Sequence, residues 1–287
     1  MSAQRMPAGE SAAAENKTPI YDSARHRWAF IAELVEIWLY RDLLKQLIIR
    51  NIKIRYKRSV LGIVWTMLNP LMMMMVLTFV FSETFRFNTR HYPAYALAGL
   101  TLWNFFSQTT NGAMSELVWG GNLMHRIYIP RAIFAFTALG TSLVNVVLAM
   151  VPLLLIMLVT GVPIRSTILI LPVSLVLMAL FALGVALFLS RLAAYFADVM
   201  EMYQIFLTAW MYFTPIIYPK EIVPERYRWL FNLNPIYHLI ETFRAPLYIG
   251  WFAGPKTVTA AAVAGVAAFL LGWWFFTRKV DELAYRI

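Results

Sequence analysis

AIFAFTALGTSLVNVVLAMVPLLLIMLVT, the stretch from Ala132 to Thr160, contains no charged residue. A helix needs about 20 consecutive apolar residues to cross a hydrocarbon core ~30 Å thick, and this run is longer than that. Lipid offers the backbone no hydrogen-bond partner. Each peptide group must therefore be satisfied within its own segment, which makes helix the expected form. Five more runs of the same kind lie on either side. They are Ser59–Phe81 and Tyr92–Thr110 before it, and Ile164–Ser190, Met200–Tyr218 and Thr257–Thr277 after it. The expectation is an all-α membrane protein with six transmembrane helices.

Composition points the same way. Of 287 residues, 60% are hydrophobic and 14% charged, and mean hydropathy is +0.63, whereas soluble domains are about half apolar and a quarter charged. The net charge of +10 sits beside apolar spans, which suits anionic lipid headgroups; nucleic acid is not expected. The absence of cysteine excludes disulfides, thiolate metal sites and a cysteine nucleophile. Roughly two thirds of the lysines and arginines fall in segments placed inside by an N-in, C-in topology, the orientation that the positive-inside rule favours.

The connections are informative. Residues 1–27 read as a disordered cytoplasmic tail without a cleavable signal. Residues 28–58 are amphipathic. Ile31, Leu34, Val35 and Trp38 form one stripe; Leu44, Leu47 and Ile48 form another, out of phase with the first. A break near Arg41-Asp42 is expected, with Asp42 as a cap. Gln46, Arg50, Lys53 and Lys57 share a face, as in helices lying in the membrane interface. Between spans five and six, Pro219–Pro255 holds apolar runs too short to cross, which suit re-entrant helices. Asn234-Pro235 reads as a helix start. Residues 59–277 form the six-span domain, and 278–287 a cytoplasmic tail.

Motifs of bound-nucleotide or hydrolytic chemistry are missing. No Gly-Lys pair occurs, so there is no phosphate-cradling loop, and HExxH and Gly-x-Ser-x-Gly are absent. His26, His91, His125 and His238 are scattered, whereas metal ligands cluster; no metal is expected. Glu116, Asp198 and Glu201 show no pairing that would support an enzyme acting on lipid-linked sugars. A secondary transporter would carry ionisable residues in mid-span and inverted repeats, and neither is visible.

Arg55-Tyr56-Lys57-Arg58-Ser59-Val60-Leu61-Gly62-Ile63-Val64-Trp65, followed by Asn69-Pro70-Leu71, resembles the start of the first span in ABC-2 type permeases. The nearest branch exports O-antigen, teichoic acid and capsule. Three further stretches match in order: Asn122-Leu123 with Arg126-Ile127 and Pro130-Arg131; Phe213-Thr214-Pro215-Ile216-Ile217-Tyr218; and Asn234-Pro235-Ile236 with Glu241 and Arg244. The resemblance implies a homodimer of permeases in the bacterial inner membrane, each docking one nucleotide-binding subunit, so two ATPase copies per complex. ATP and magnesium would reside in that partner, with no cofactor in this chain. It also implies a lipid-linked polysaccharide substrate, carried on a lipid diphosphate and passing between the protomers. An ABC-2 exporter of a drug or simple lipid would share the first-span motif.

Three groups of residues follow as candidates. A cytoplasmic coupling helix over Trp119–Tyr128 would use Trp119, Leu123, Met124 and Ile127 as packing anchors and Arg126 for an acidic rim, although Gly120-Gly121 would also suit a plain loop. Arg50, Lys53, Arg55, Lys57 and Arg58 would dock the carrier's diphosphate, or contact headgroups and set topology. Trp65, Trp103, Phe106, Tyr203, Trp210 and Phe213 would line a conduit on which sugars stack, or would pack the core. Tyr203, Trp210 and Phe213 are placed on one helical face, and Trp273 is expected to face lipid.

Overall fold

The computed structural model describes residues 29–84, 91–120, 129–248 and 250–278, and the regular elements among them are helical. In chain order the α-helices are α1 (Ala29–Leu39), α2 (Arg41–Tyr56), α3 (Val64–Thr78), α4 (Tyr92–Trp119), α5 (Ile133–Val159), α6 (Leu171–Tyr195), α7 (Val199–Phe213), α8 (Trp229–Leu233), α9 (Pro235–Tyr248) and α10 (Pro255–Thr277). The expected tails, and the coupling residues Leu123, Met124, Arg126 and Ile127, lie outside the described residues, apart from Arg278 at the start of the C-terminal segment.

Four helical segments are long and apolar enough to cross a membrane: Val64–Phe81, Ile133–Val159, Ser166–Tyr195 and Pro255–Thr277. The two other expected spans depart from that standard for different reasons. Helix α4 has 28 residues, about 42 Å at ~1.5 Å per residue, but amides and hydroxyls dilute it. It also runs on past Thr110 to Trp119. Helix α7 has 15 residues, about 22 Å long and short of the ~30 Å core.

Packing explains why α4 tolerates its polarity. It lies against α5 and α6, while α6 packs along α10, so its side chains are among the most buried in the chain. Helices α6 and α10 meet backbone to backbone. A Cβ on Gly184 would collide with the Ala268 carbonyl, and one on Gly272 with the Gly184 carbonyl. Small residues at such crossings let helices approach where lipid supplies no hydrophobic drive. Trp273 was expected to face lipid; it is instead fully buried, edge-on to Phe136 at 6.1 Å. Arg191, just past the expected span Ile164–Ser190, lies within α6 and is buried, donating to the Phe275 carbonyl.

Helix α7 stops where Pro215 approaches, since proline cannot donate and restricts the residue before it. The following backbone is not helical, and its carbonyls are met by side chains. Tyr92 donates to Ile217 O at 2.5 Å, and Tyr95 to Pro215 O at 3.3 Å and Tyr218 O at 3.1 Å. Arg244, 2% exposed, donates to Pro215 O and Ile216 O, each at 3.1 Å. Its guanidinium lies 3.8 Å from the Tyr95 ring centroid. Asn234 closes the structure at α9. Its Oδ1 caps Ile236 N at 3.1 Å, as the Asn-Pro reading expects, and accepts from Trp210 Nε1 at 3.1 Å. Its Nδ2 donates to Thr214 Oγ1 at 2.8 Å.

At the other end of the bundle, α2 packs on α5. Leu47 is buried there, while Gln46, Arg50, Lys53 and Lys57 are exposed. The helix break comes at Tyr40. Asp42 sits in the first turn of α2 rather than at its cap, so it complements the helix dipole instead. On α1, Val35 and Trp38 face outward while Glu33 and Ile37 are buried.

Candidate functional site

The turn from α2 to α3 shapes the site. Arg58 and Gly62 both adopt positive φ, 65° and 50°, and Ser59 Oγ accepts from Gly62 N at 3.0 Å. Glycine takes that conformation without steric cost. The turn brings Arg55 and Tyr56 to the mouth of a cleft of about 520 Å³ between α3, α4 and α5, with Met211 of α7 on one wall. Arg55 is the member of the basic group that lines it. Arg50, Lys53, Lys57 and Arg58 are exposed outside.

The interior of the cleft is polar for a space between largely apolar helices. Asn104 and Gln108 of α4 project into it one turn apart. Asn69 of α3 and Ser142 and Asn145 of α5 complete the wall. Asn145 Nδ2 donates to Gln108 Oε1 at 2.7 Å, and Arg55 Nη1 reaches the same oxygen at 3.5 Å. The aromatic rings of Trp65 and Trp103 border these amides. Below the mouth, Asn51 of α2 donates to Glu116 Oε1 of α4 at 2.6 Å. Intramembrane polar groups are costly and mark functional sites. The amides are the residues that sequence reasoning passed over. The available signal was that Asn104, Gln108 and Asn111 recur at helical spacing, the first two inside the expected span Tyr92–Thr110 and the third just past its end.

The aromatic candidates divide in two. Trp103, Phe106 and Tyr203 are buried within the chain. Trp210 packs edge-on to Trp103 at 6.5 Å and to Phe106 at 5.6 Å, and Tyr203 donates to Thr110 Oγ1 at 2.8 Å. Trp65 and Phe213 are 48% and 72% exposed. Tyr203 and Trp210 do share a face of α7; Phe213 does not, because ten residues at ~100° each leave it about 80° away from Tyr203.

Trp119 does not open a coupling helix. It ends α4, 78% exposed, with Gly120 at the C-cap. Nine further residues of α4 remain helical past Thr110 because Ala113, Met114 and Leu117 are buried. The end of α4 therefore leads directly into the segment where coupling residues were expected.

A family model described as ABC-2 type transporter matches residues 42–248. The O-antigen export system permease protein RfbA of Myxococcus xanthus is 26% identical, over 88% of this chain and 98% of its own length. A protein of the same description from Klebsiella pneumoniae is 23% identical, over 85% of this chain and 93% of its own. The capsule polysaccharide export inner-membrane protein CtrC of Neisseria meningitidis is 20% identical, over 81% and 86%.

Proposed function

Because this chain belongs to the ABC-2 type transporter family, we propose that it is the membrane-spanning permease subunit of an exporter of lipid-linked polysaccharide. O-antigen and capsule export by its relatives supplies the substrate class. The observation that carries the reading to this chain is the cleft, where a cationic mouth at Arg55 leads into neutral amides bordered by tryptophan. A carrier's diphosphate suits the guanidinium, which offers a planar fork of donors. Hydroxyl-rich, uncharged sugars suit groups that both donate and accept.

In this reading α4 and α7 complete a set of six spans, with α7 lengthened by the capped backbone after it. Helices α1 and α2 lie in the inner interface and α8 and α9 re-enter the outer leaflet, giving N-in, C-in topology in the inner membrane. Two permeases and two ATPase subunits form the complex. The end of α4 passes the ATPase stroke to Glu116 and, through Asn51, to α2. Coupling of this kind needs a stiff two-state element, and α4 is the most continuous candidate.

Since the chain lacks a phosphate-binding loop, the purified permease alone should hydrolyse no ATP. Co-expressed with its ATPase in cells stripped of their own exporter, it should restore surface polysaccharide. Export of free lipid without polymer would overturn the substrate assignment.

The conduit idea is best tested at Trp65 and Phe213. Their rings are exposed in the single chain, so Trp65→Leu and Phe213→Leu should leave the melting temperature within a few degrees. If the rings stack on sugar, each contact of about 1 kcal/mol slows export up to severalfold, read as surface polysaccharide per permease. Unchanged export in the double variant removes these rings from the conduit. Trp210→Leu is a poorer probe, because it also breaks the Asn234 hydrogen bond.

A further inference from the structure

The amide pair inside the cleft has a fixed polarity. Arginine is a donor only, so the Gln108 atom facing Arg55 must be its carbonyl oxygen. That oxygen also receives the Asn145 contact, so Asn145 must present its amino group there. Two groups are left over: the Gln108 amino group and the Asn145 carbonyl. Neither makes a hydrogen bond among the described residues, and both residues line the cleft. The result is one unused donor beside one unused acceptor, a short distance inside the cationic mouth. Both groups face the open cleft, where a ligand that can accept from one and donate to the other would take the place of water.

A sugar hydroxyl does both with one group, and neighbouring hydroxyls on a ring do so with two. An anion would satisfy only the donor, and a cation only the acceptor. We propose that Gln108 and Asn145 bind the carrier-proximal sugar of a lipid diphosphate-linked glycan, reading its uncharged hydroxyls while Arg55 holds the adjoining phosphate. This deepens the function proposed above and rests on it. It makes the permease a reader of the first sugar, separate from any stacking along the polymer.

The test compares two ligands on the permease–ATPase complex in lipid nanodiscs: a polyprenyl diphosphate bearing one hexose, and the same polyprenyl diphosphate without sugar. The parent complex should bind the glycosylated form about tenfold tighter, the scale of one well-made neutral hydrogen bond. Asn145→Leu keeps similar volume and leaves Gln108 Oε1 to Arg55. It should erase that preference while affinity for the sugar-free lipid stays the same. Arg55→Gln should weaken both ligands alike. Equal affinity of the parent for the two ligands overturns the proposal without touching polysaccharide export, and this comparison needs no variant to fold. A sugar preference that survives Asn145→Leu also overturns it, leaving the pair as a crosslink between α4 and α5. If the parent binds neither ligand, the lipid-linked substrate itself is wrong.

Discussion

Arg244→Leu should nearly abolish folded permease in the membrane. Arg244 spans the two carbonyls of Pro215 and Ile216 and stacks on Tyr95. Leucine leaves the Ile216 carbonyl without its donor, at ~1–3 kcal/mol, and leaves Pro215 O with only the longer Tyr95 contact at 3.3 Å, out of a total stability of about 5–15 kcal/mol. It also strands Glu241, 3.8 Å from the guanidinium. Arg244→Lys should recover little, since a single ammonium cannot reproduce the planar fork. Gly99 shows how closely the site is fitted: a Cβ there would collide with the guanidinium. The measurement is the fraction of detergent-extracted protein that elutes as a single species, together with its melting temperature. If Arg244→Leu accumulates and melts like the parent, the carbonyls after α7 have other partners.

The second large effect is expected at the crossing of α6 and α10. Gly272→Ala adds only a methyl group, but that methyl meets the backbone of Gly184 at its carbonyl carbon, oxygen and Cα. A flexible side chain could swing aside; a helix backbone cannot. The helices must separate, which loosens the layer around Trp273 and Phe276. The loss should reach or exceed the ~1–3 kcal/mol of ordinary overpacking, seen as a melting temperature lower by several degrees. At Gly161 a Cβ meets nothing, but the positive φ of 71° adds its own strain. Gly254→Ala, open and without that strain, is the better control and should change little.

What the sequence reveals depends on whether local composition or tertiary context decides. The spans Ala132–Thr160 and Thr257–Thr277 could be bounded almost to the residue, because an uninterrupted apolar run admits one reading in lipid. The end of α4 could not. Residues beyond Thr110 include Asn111, Ser115 and Glu116, which look like loop, yet Glu116 is held by Asn51 of α2 and Asn111 by Gln204 of α7. Trp273 was misplaced for a related reason. An all-apolar helix has no polar face to mark its outside, so the buried side is chosen by its neighbour α6. Within the site, Arg55 and Trp65 were accessible through the first-span motif. The Gln108–Asn145 pair was not, because it arises only when α4 and α5 come together.

The capped backbone after α7 also bears on the order of synthesis. Tyr92 and Tyr95 are made long before Pro215–Tyr218, but Arg244 emerges only after Tyr218 has left the ribosome. During that interval the segment has two of its three donor side chains. The carbonyls of Pro215 and Ile216 are then incompletely met, in a solvent that penalises them. The nascent α7 segment is therefore expected to linger beside the translocon, released into lipid only once α9 folds against it and delivers the guanidinium. The C-terminal third of the chain would insert as one cooperative unit and not helix by helix.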